Sequence, residues 1–357
     1  MAARHRSRWW APATNSRMTL RVGIIGTGAI AGMHARAYNN IGYTVRACTN
    51  VTQDKGLAFA AQHGAEFIAN FEDLCRHPEV DLVDVCTFPS FRLDVVRACA
   101  ANRKPVQVQK PIATTLATAR EMIDTARGAG IVLGVVSQHR FDRASLFLSA
   151  AIRAGRLGRL LQCDAYVKWW RSDEYYARPV KGSWAIEGGG ALINQAIHQI
   201  DLVLWFAGPV REVFGMWQLG AAHTIESEDI VNAVMRYESG ATGAVQAATA
   251  LWPGFSERIE VHGTKGSAII TGDQLTTWDV KDDVGAPPPL STGVSSGASD
   301  PMAISVESFE RQFLDLGDAI KTGRKPLVSG EEGYQALALV EAIYRSCRMG
   351  AVVAVEA

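Results

Sequence analysis

The chain has 357 residues, so two domains of unequal size are expected. Hydrophobic residues make up 48% and charged residues 20%, which is typical of a globular protein, and no apolar run approaches the roughly 20 residues that a membrane helix needs. The 36 Lys and Arg residues balance the 36 Asp and Glu residues, and no dense basic stripe lies beyond the first residues. Nucleic acid and membranes are therefore not indicated as partners, and a small molecule is favoured.

The 6 cysteines lie far apart and form no Cys-x-x-Cys pair. This spacing favours reduced thiols in a cytoplasmic protein over a zinc site or a disulfide framework. Residues 1–17 are rich in Arg but lack the apolar core of a secretion signal, so we expect a disordered extension. Met18 directly precedes the first strand and is a candidate initiator.

From residue 18 to about 140, short apolar runs alternate with helical patterns. The predicted strands are Leu20 to Ile25, Thr44 to Cys48, Leu82 to Thr87, Val106 to Gln109 and Ile131 to Val136. The predicted helices are Ile30 to Asn40, Lys55 to His63, Phe71 to Arg76, Arg92 to Ala101 and Leu116 to Ala129. Such alternation predicts an α/β domain with a doubly wound parallel sheet over residues 18–140.

Residues 141–357 follow a different pattern, which predicts a second domain of the α+β class with a large, open, mostly antiparallel sheet. After a helix at Ser145 to Ala154, the predicted strands are Leu160 to Trp170, Glu212 to Leu219, Asp229 to Tyr237, Thr242 to Ala250, Ser256 to Gly263 and Ser267 to Thr271. A helix at Ala191 to Phe206 separates the first two of them. The Pro, Gly and Ser content of Val284 to Ala298 predicts a mobile loop, and Glu307 to Arg348 predicts two final helices.

The run Gly26-Thr27-Gly28-Ala29-Ile30-Ala31 is a G-x-G-x-x-A fingerprint between the first strand and the first helix. Glycines there let the backbone approach a pyrophosphate, and the helix N-terminus offers free N–H groups to it. A merely tight turn is the alternative, but the position of the motif favours dinucleotide binding.

An acidic residue about 20 residues further on usually holds the adenosine ribose. Thr49-Asn50 stands there instead. Asn50 can hydrogen-bond a ribose but does not repel a 2′-phosphate, so the sequence favours NAD and leaves NADP open.

Gln109-Lys110-Pro111 ends a buried strand at the carboxyl edge of the first sheet, where ligands of such sheets bind. A lysine there can donate to a substrate hydroxyl and stabilise the alkoxide. The alternative is a solvated strand end.

Asn194, His198 and Asp201 have the helical spacing i, i+4 and i+7, which predicts one polar stripe on an otherwise apolar helix. Inward-facing polar groups need partners or a ligand. The alternatives are a core histidine with a pairing Asp201, or a metal ligand, and the sequence supplies no obvious metal-ligand set. We therefore predict no metal.

Taken in this order, these motifs resemble the Gfo/Idh/MocA oxidoreductase family from Met18 to the end of the chain. The resemblance includes the strand Val83 to Thr87 and the closing run Ala342 to Ser346. It implies that Lys110 binds the reacting hydroxyl and lowers its pKa, while His198 is the general base. This sequence departs from the family pattern, since Gln109 replaces the usual Glu, Asn194 the usual Asp, and Phe88 and Arg92 the more common Pro and His. We keep Asn194 in the predicted catalytic set as a substrate contact.

The segment from Trp169 to Trp184 resembles members that act on pyranosides or nucleotide sugars, in which aromatic faces stack on sugar rings. The alternative is a surface loop with core tryptophans. The predicted substrate contacts are Arg171, Tyr176, Lys181, Trp184, Asn194, His198 and, at the domain junction, Arg140, with the adjacent His139 as a further candidate. The predicted cofactor contacts are Gly26, Gly28, Ala29, Ile30, Asn50, Thr87, Gln109 and Lys110.

The resulting hypothesis is an NAD(P)-dependent dehydrogenase of a sugar, glycoside or cyclitol hydroxyl. Residues 18–140 would be its dinucleotide-binding Rossmann domain, and residues 141–357 its substrate-binding and oligomerisation domain. Its rivals are an NADPH-dependent reductase of keto-sugars or biliverdin-like ketones, and a non-catalytic dinucleotide-binding regulator. The open face of the second sheet predicts a homodimer or homotetramer.

Overall fold

The computed structural model describes residues 19–178, 180–282, 296, 298 and 305–356. Its first sheet is six-stranded, and its strands are β1 (Arg21–Ile25), β2 (Thr44–Thr49), β3 (Glu66–Phe67), β4 (Leu82–Val85), β5 (Val106–Val108) and β6 (Leu133–Val135). The strand order is β3-β2-β1-β4-β5-β6, and every pairing is parallel. The predicted doubly wound parallel sheet is therefore confirmed.

The helices that connect these strands begin and end close to the predicted bounds. They are α1 (Ala29–Asn40), α2 (Gln53–His63), α3 (Phe71–Arg76), α4 (Arg92–Ala101) and α5 (Leu116–Ala129). Side-chain caps fix two of the starts, since Asn70 accepts the N–H of Asp73 and Thr115 accepts that of Thr118. The two-residue strand β3 was not predicted because it is too short for a hydrophobic period to show.

The second sheet is eight-stranded. Its strands are β7 (Leu160–Lys168), β8 (Val210–Leu219), β9 (Glu228–Tyr237), β10 (Thr242–Ala248), β11 (Arg258–Gly263), β12 (Gly266–Thr271), β13 (Gln274–Val280) and β14 (Val353–Ala354). The order is β13-β12-β11-β7-β10-β9-β8-β14, and only the pair β7–β10 is parallel. The mostly antiparallel sheet is thus confirmed, with two edge strands, β13 and β14, that the sequence pattern did not indicate.

The remaining helices are α6 (Arg143–Arg153), the short α7 (Asp173–Tyr176) and α8 (Trp184–Glu187), α9 (Ile197–Ala207), α10 (Glu307–Thr322) and α11 (Gly330–Met349). A π-helical turn, Leu192–Ala196, directly precedes α9. The single helix predicted over Ala191 to Phe206 is therefore composed of two kinds of turn. A capping box between Ser329 and Glu332 fixes the start of α11.

One face of the second sheet is covered and the other is open. Along β9 the residues alternate, with Val231, Ala233 and Met235 buried but Asn232 and Val234 exposed. The covered side belongs to the same apolar cluster as residues of α9 and α11. The period of two therefore reports a half-buried sheet.

Helix α10 lies far along the chain but packs on the first sheet's helix α1. The ring of Phe313 stacks on that of Tyr38 with centroids 4.2 Å apart, and both belong to the apolar cluster that includes β1. The division into domains near residue 140 remains a prediction, and α10 contributes to the core on the N-terminal side of it.

No helix in the described ranges has both the length and the apolar character to cross a membrane. All 6 cysteines are free thiols. The predicted extension over residues 1–17 and most of the predicted loop Val284 to Ala298 lie outside the described residues.

Candidate active site

The glycine turn between β1 and α1 has the geometry that a dinucleotide needs. Gly26 has φ +89°, and a Cβ atom there would lie 3.1 Å from the Cys86 carbonyl carbon and from the Thr87 methyl, so only glycine fits. Gly28 is the N-cap residue of α1, and no side chain caps this helix start. A Cβ atom placed on Gly28 would have no other atom within 4 Å. The start of α1 at Ala29 and Ile30 therefore faces open space with uncapped N–H groups, which fits a pyrophosphate.

Asn50 follows β2 and lies beside this turn. Its side-chain amide donates to the Thr27 hydroxyl, and its Oδ1 accepts the Thr52 N–H at 3.0 Å. The N–H of Gly26 in turn donates to the Thr49 carbonyl at 2.9 Å. Asn50 is thus placed next to the fingerprint, where a ribose contact was predicted, and its amide is already held by Thr27.

Arg92 joins the ends of β4 and β5, a role that the sequence did not reveal. Its guanidinium donates to the Thr87 carbonyl at 2.6 Å and also to the carbonyls of Gln109 and Pro111. Burial lowers its pKa to about 9. Arg92 therefore holds together the backbone of Thr87, Gln109 and Lys110, which are all predicted cofactor contacts.

Lys110 leaves the end of β5 just before a cis peptide bond to Pro111. Its Nζ atom donates to the backbone oxygen of Asn194 at 2.5 Å. Burial, together with the charge of Lys181, lowers the pKa of Lys110 to about 7. The lysine is thus directed across the cleft to the π-helical turn, where backbone carbonyls depart from the ordinary α-helical pattern.

His198 lies on α9, just beyond that turn, and is 8% exposed. Its Nδ1 atom is buried without a hydrogen-bond partner among the described residues. Burial, followed by the charges of Lys110 and His139, keeps the pKa of His198 well below its usual range. The imidazole is therefore neutral near pH 7, as a general base must be.

His139, which the sequence analysis named together with Arg140 at the domain junction, is a neighbour of His198. Its ring packs edge-on against the His198 ring with centroids 4.9 Å apart, and its Nδ1 lies 2.7 Å from Oδ2 of Asp142. Burial opposes a charge on His139, but the Asp142 carboxylate outweighs it and raises the pKa. The position of Asp142, three residues after His139, was the only feature of the sequence that could have indicated this pairing.

The residues of the predicted polar stripe contact different partners and do not act as one group. The side-chain amide of Asn194 donates to the Gly189 carbonyl at 2.9 Å, while Asp201 accepts from Ser137 and from Arg140. His198 does not belong to any group of three metal-ligating side chains in the described part of the chain. The π turn accounts for the separation of Asn194 from the two α9 residues, because it breaks the 3.6-residue period between them.

The predicted sugar-contact residues fall into two sets. Lys181 and Arg171 lie close enough to Lys110 for their charges to lower its pKa. The Lys181 ammonium is paired with the buried carboxylate of Glu187, and Arg171 donates to the Ala298 carbonyl at 2.8 Å. Both are therefore cationic groups at the lysine's end of the cleft.

Tyr176 and Trp184 have partners at the second sheet. The hydroxyls of Tyr176 and Thr249 are 2.7 Å apart, and the Trp184 indole donates to the Glu226 carbonyl at 3.1 Å. The Trp184 ring also packs edge-on against Tyr344 with centroids 5.1 Å apart. In the described part of the chain no hydrogen bond or ring contact joins either side chain to Lys110 or His198, so their role as substrate contacts stays a prediction.

Two family models match the chain. The "Oxidoreductase family, NAD-binding Rossmann fold" matches residues 20–137, and the "GFO/IDH/MocA C-terminal domain" matches residues 145–269. Together these cover most of the chain, including the glycine turn, Lys110 and His198.

Several curated relatives are sugar or cyclitol oxidoreductases by name. The chain is 27% identical over 340 residues to "Myo-inositol 2-dehydrogenase" of Thermotoga maritima, covering 92% of this chain and 96% of the relative. It is 28% identical over 354 residues to "1,5-anhydro-D-fructose reductase" of Ensifer adhaerens, covering 94% and 98%.

Solved structures agree over nearly the full length. The WlbA dehydrogenase from Bordetella pertussis, in complex with NADH and UDP-GlcNAcA, superposes with a TM-score of 0.83 at 26% identity, covering 95% of this chain and 100% of that one. Levoglucosan dehydrogenase in complex with NADH and levoglucosan has a TM-score of 0.85 at 21% identity, with 95% and 100% covered, and shows the shared fold. The chain therefore belongs to the GFO/IDH/MocA family and is an oxidoreductase with an NAD-binding Rossmann domain.

Proposed function

We propose that this protein oxidises a secondary hydroxyl of a sugar, glycoside or cyclitol to a ketone. The observation that carries the proposal is the hydrogen bond from Lys110 Nζ to the Asn194 carbonyl, 2.5 Å long, in the π-helical turn that directly precedes α9 and His198. A buried cationic donor and a neutral imidazole thus share one cleft beside the carboxyl edge of the first sheet, where the dinucleotide belongs.

Each side chain has a defined part in this reaction. Lys110 exchanges its bond to the Asn194 carbonyl for one to the substrate hydroxyl and stabilises the developing alkoxide. His198 takes the hydroxyl proton, for which its neutral form is suited. A nicotinamide dinucleotide held at the glycine turn of Gly26 and Gly28 would supply the acceptor for the hydride that leaves the carbon bearing this hydroxyl. The products are a ketone, the reduced cofactor and one proton, so the reaction balances.

The substrate is proposed from the relatives and from the polar lining of the cleft. Two of the relatives act on an inositol or an anhydro-sugar by name. Lys181 and Arg171 supply donors beside Lys110, and Asn194 supplies an amide for a further hydroxyl. NAD is the proposed cofactor, with Asn50 leaving NADP as an alternative, and the same groups run in reverse would reduce a keto-sugar.

Substitution tests the proposal directly. A panel of inositols, free hexoses and glycosides is first screened for NAD and NADP reduction, and the best substrate is then used for the variants. We expect Lys110→Ala and His198→Ala each to lower kcat by at least about 100-fold, the usual scale for lost acid–base help, with little change in NADH affinity. The exposed Lys321 provides the matched control, Lys321→Ala, which should turn over normally. Normal turnover in either active-site variant would refute the assignment.

A further inference from the structure

A buried row of polar side chains lies behind Lys110 and has no part in the proposed chemistry. It consists of Asp84 on β4, His34 on α1 and Gln109 at the end of β5, which are 0%, 0% and 7% exposed. His34 Nδ1 lies 2.7 Å from Asp84 Oδ2, and Gln109 Nε2 lies 2.8 Å from His34 Nε2. We call these three residues the His34 network.

The hydrogen bonds of Gln109 fix the direction of the network. Its Oε1 accepts the backbone N–H of Lys110 at 3.2 Å, so the amino end of the amide is the end that faces His34. An amide N–H₂ only donates, so His34 Nε2 must accept and the imidazole proton must lie on Nδ1, where it donates to Asp84. The imidazole is then neutral and held in one tautomer.

The surroundings of His34 hold the ring in place. The rings of Phe309 and Phe313, from α10, pack against it with centroids 5.1 and 5.0 Å away. The Tyr38 hydroxyl donates to the same Asp84 oxygen at 3.1 Å. Buried polar groups are costly unless paired, and an apolar side chain would fill this position without that cost. The cost of burying these polar groups therefore indicates that the His34 network has a role besides packing.

We propose that His34 is a positioning residue for Lys110, because through the Gln109 amide it fixes the backbone from which the lysine enters the cleft. This inference rests on the proposed role of Lys110. The path is short, since Asp84 orients His34, His34 orients Gln109, and Gln109 holds the Lys110 N–H. Displacement of a reacting group by about 1 Å can cost on the order of 100-fold in rate, so a fixed backbone here has a direct effect on turnover.

Two variants separate the hydrogen bond from the packing. His34→Phe keeps an aromatic ring but removes both bonds, and we expect kcat to fall by about 10-fold to 100-fold with unchanged NADH affinity. His34→Gln places a side-chain oxygen that can accept from Gln109, and we expect it to recover most of the lost kcat. Tyr237→Phe is the control, because it removes the hydroxyl of another fully buried ring, one that donates to the Cys163 carbonyl in the second sheet.

A double-mutant cycle with Lys110→Ala separates this inference from the proposed function. If His34 acts through Lys110, adding His34→Phe to Lys110→Ala costs no further rate. Normal turnover of Lys110→Ala would refute the proposed function. Two results would overturn the positioning role and leave the proposed function standing, provided that Lys110→Ala is slow. One is normal turnover of His34→Phe, and the other is a double variant in which the rate losses of the two single variants add fully.

A spectroscopic measurement on the wild-type protein is independent of turnover. The ¹⁵N chemical shifts of selectively labelled histidine, assigned with His34→Phe, should show His34 as the neutral Nδ1–H tautomer. An imidazolium or an Nε2–H tautomer would overturn the proposed direction of the network.

Discussion

Arg140 and Asp201 form a bidentate ion pair in the protein interior. Arg140 Nη2 lies 2.6 Å from Asp201 Oδ1 and Nε lies 2.7 Å from Oδ2, with the side chains 6% and 5% exposed. The pair links the turn after β6 to α9, the helix that carries His198. The arginine predicted to contact substrate therefore has its charge satisfied by the protein.

We expect Arg140→Met to destabilise the protein by about 3–5 kcal/mol, because it leaves the Asp201 carboxylate buried without its partner. Urea unfolding measures this change in the free energy of unfolding. The exposed pair Lys325–Glu332 gives the control, since Lys325→Met should cost no more than about 1 kcal/mol. A stable Arg140→Met variant with a raised KM would instead support the substrate contact predicted from the sequence.

The pH dependence of oxidation should report Lys110. Because burial and the charge of Lys181 lower its pKa to about 7, the ammonium form is lost as the pH rises through that value. His198, whose pKa is held well below the usual range by burial and by Lys110 and His139, stays neutral there. We expect kcat/KM, which follows the free enzyme, to decline above pH 7.

The variant Lys110→Arg checks this assignment, since a guanidinium keeps its proton throughout the range and should remove the alkaline decline from the residual activity. A wild-type kcat/KM that instead rises through pH 7 would mean that the neutral amine is the active form.

Cofactor preference should depend on Asn50. A carboxylate at this position repels a 2′-phosphate and can still accept a hydrogen bond from the Thr27 hydroxyl, so Asn50→Asp should increase the preference for NAD over NADP. The ratio of kcat/KM for the two cofactors is the measurement. Asn232→Asp, on the exposed side of β9, adds the same charge elsewhere as a control. An unchanged ratio would place the ribose away from Asn50.

The open face of the second sheet should mediate assembly. Met216 on β8 and Val234 on β9 are 63% and 58% exposed, which is unusual for apolar residues on a regular sheet. We expect light scattering to find a dimer or tetramer, and Val234→Lys to shift it toward smaller species. A strict monomer for the wild-type protein at working concentration would contradict the prediction.

The sequence predicted the parts of the fold that follow from local pattern. Apolar runs and turn-forming glycines located most strands. The fingerprint lies between β1 and α1 as predicted, and its Gly26 is needed there because of the positive φ angle and the close approach of the Cys86 backbone. Lys110 could be selected because a charged residue directly after a buried strand is conspicuous.

Other parts of the site depend on partners that are distant in sequence. No local pattern indicates that Arg92 binds three carbonyls, or that the Leu192–Ala196 turn is π-helical. His34 is similar, since a single histidine on α1 acquires its meaning only from residues 50 and 75 positions away.

The return of α10 to α1 has a consequence for protein engineering. Because Phe309 and Phe313 cover His34 from behind, we infer that the nucleotide-binding unit is discontinuous along the chain and that the segment contributing His198 is inserted into it. A chimera that imports a relative's specificity should therefore exchange only the inserted segment and retain α10 from this chain. Truncation after residue 140 would remove Phe309 and Phe313, the two rings that pack against His34.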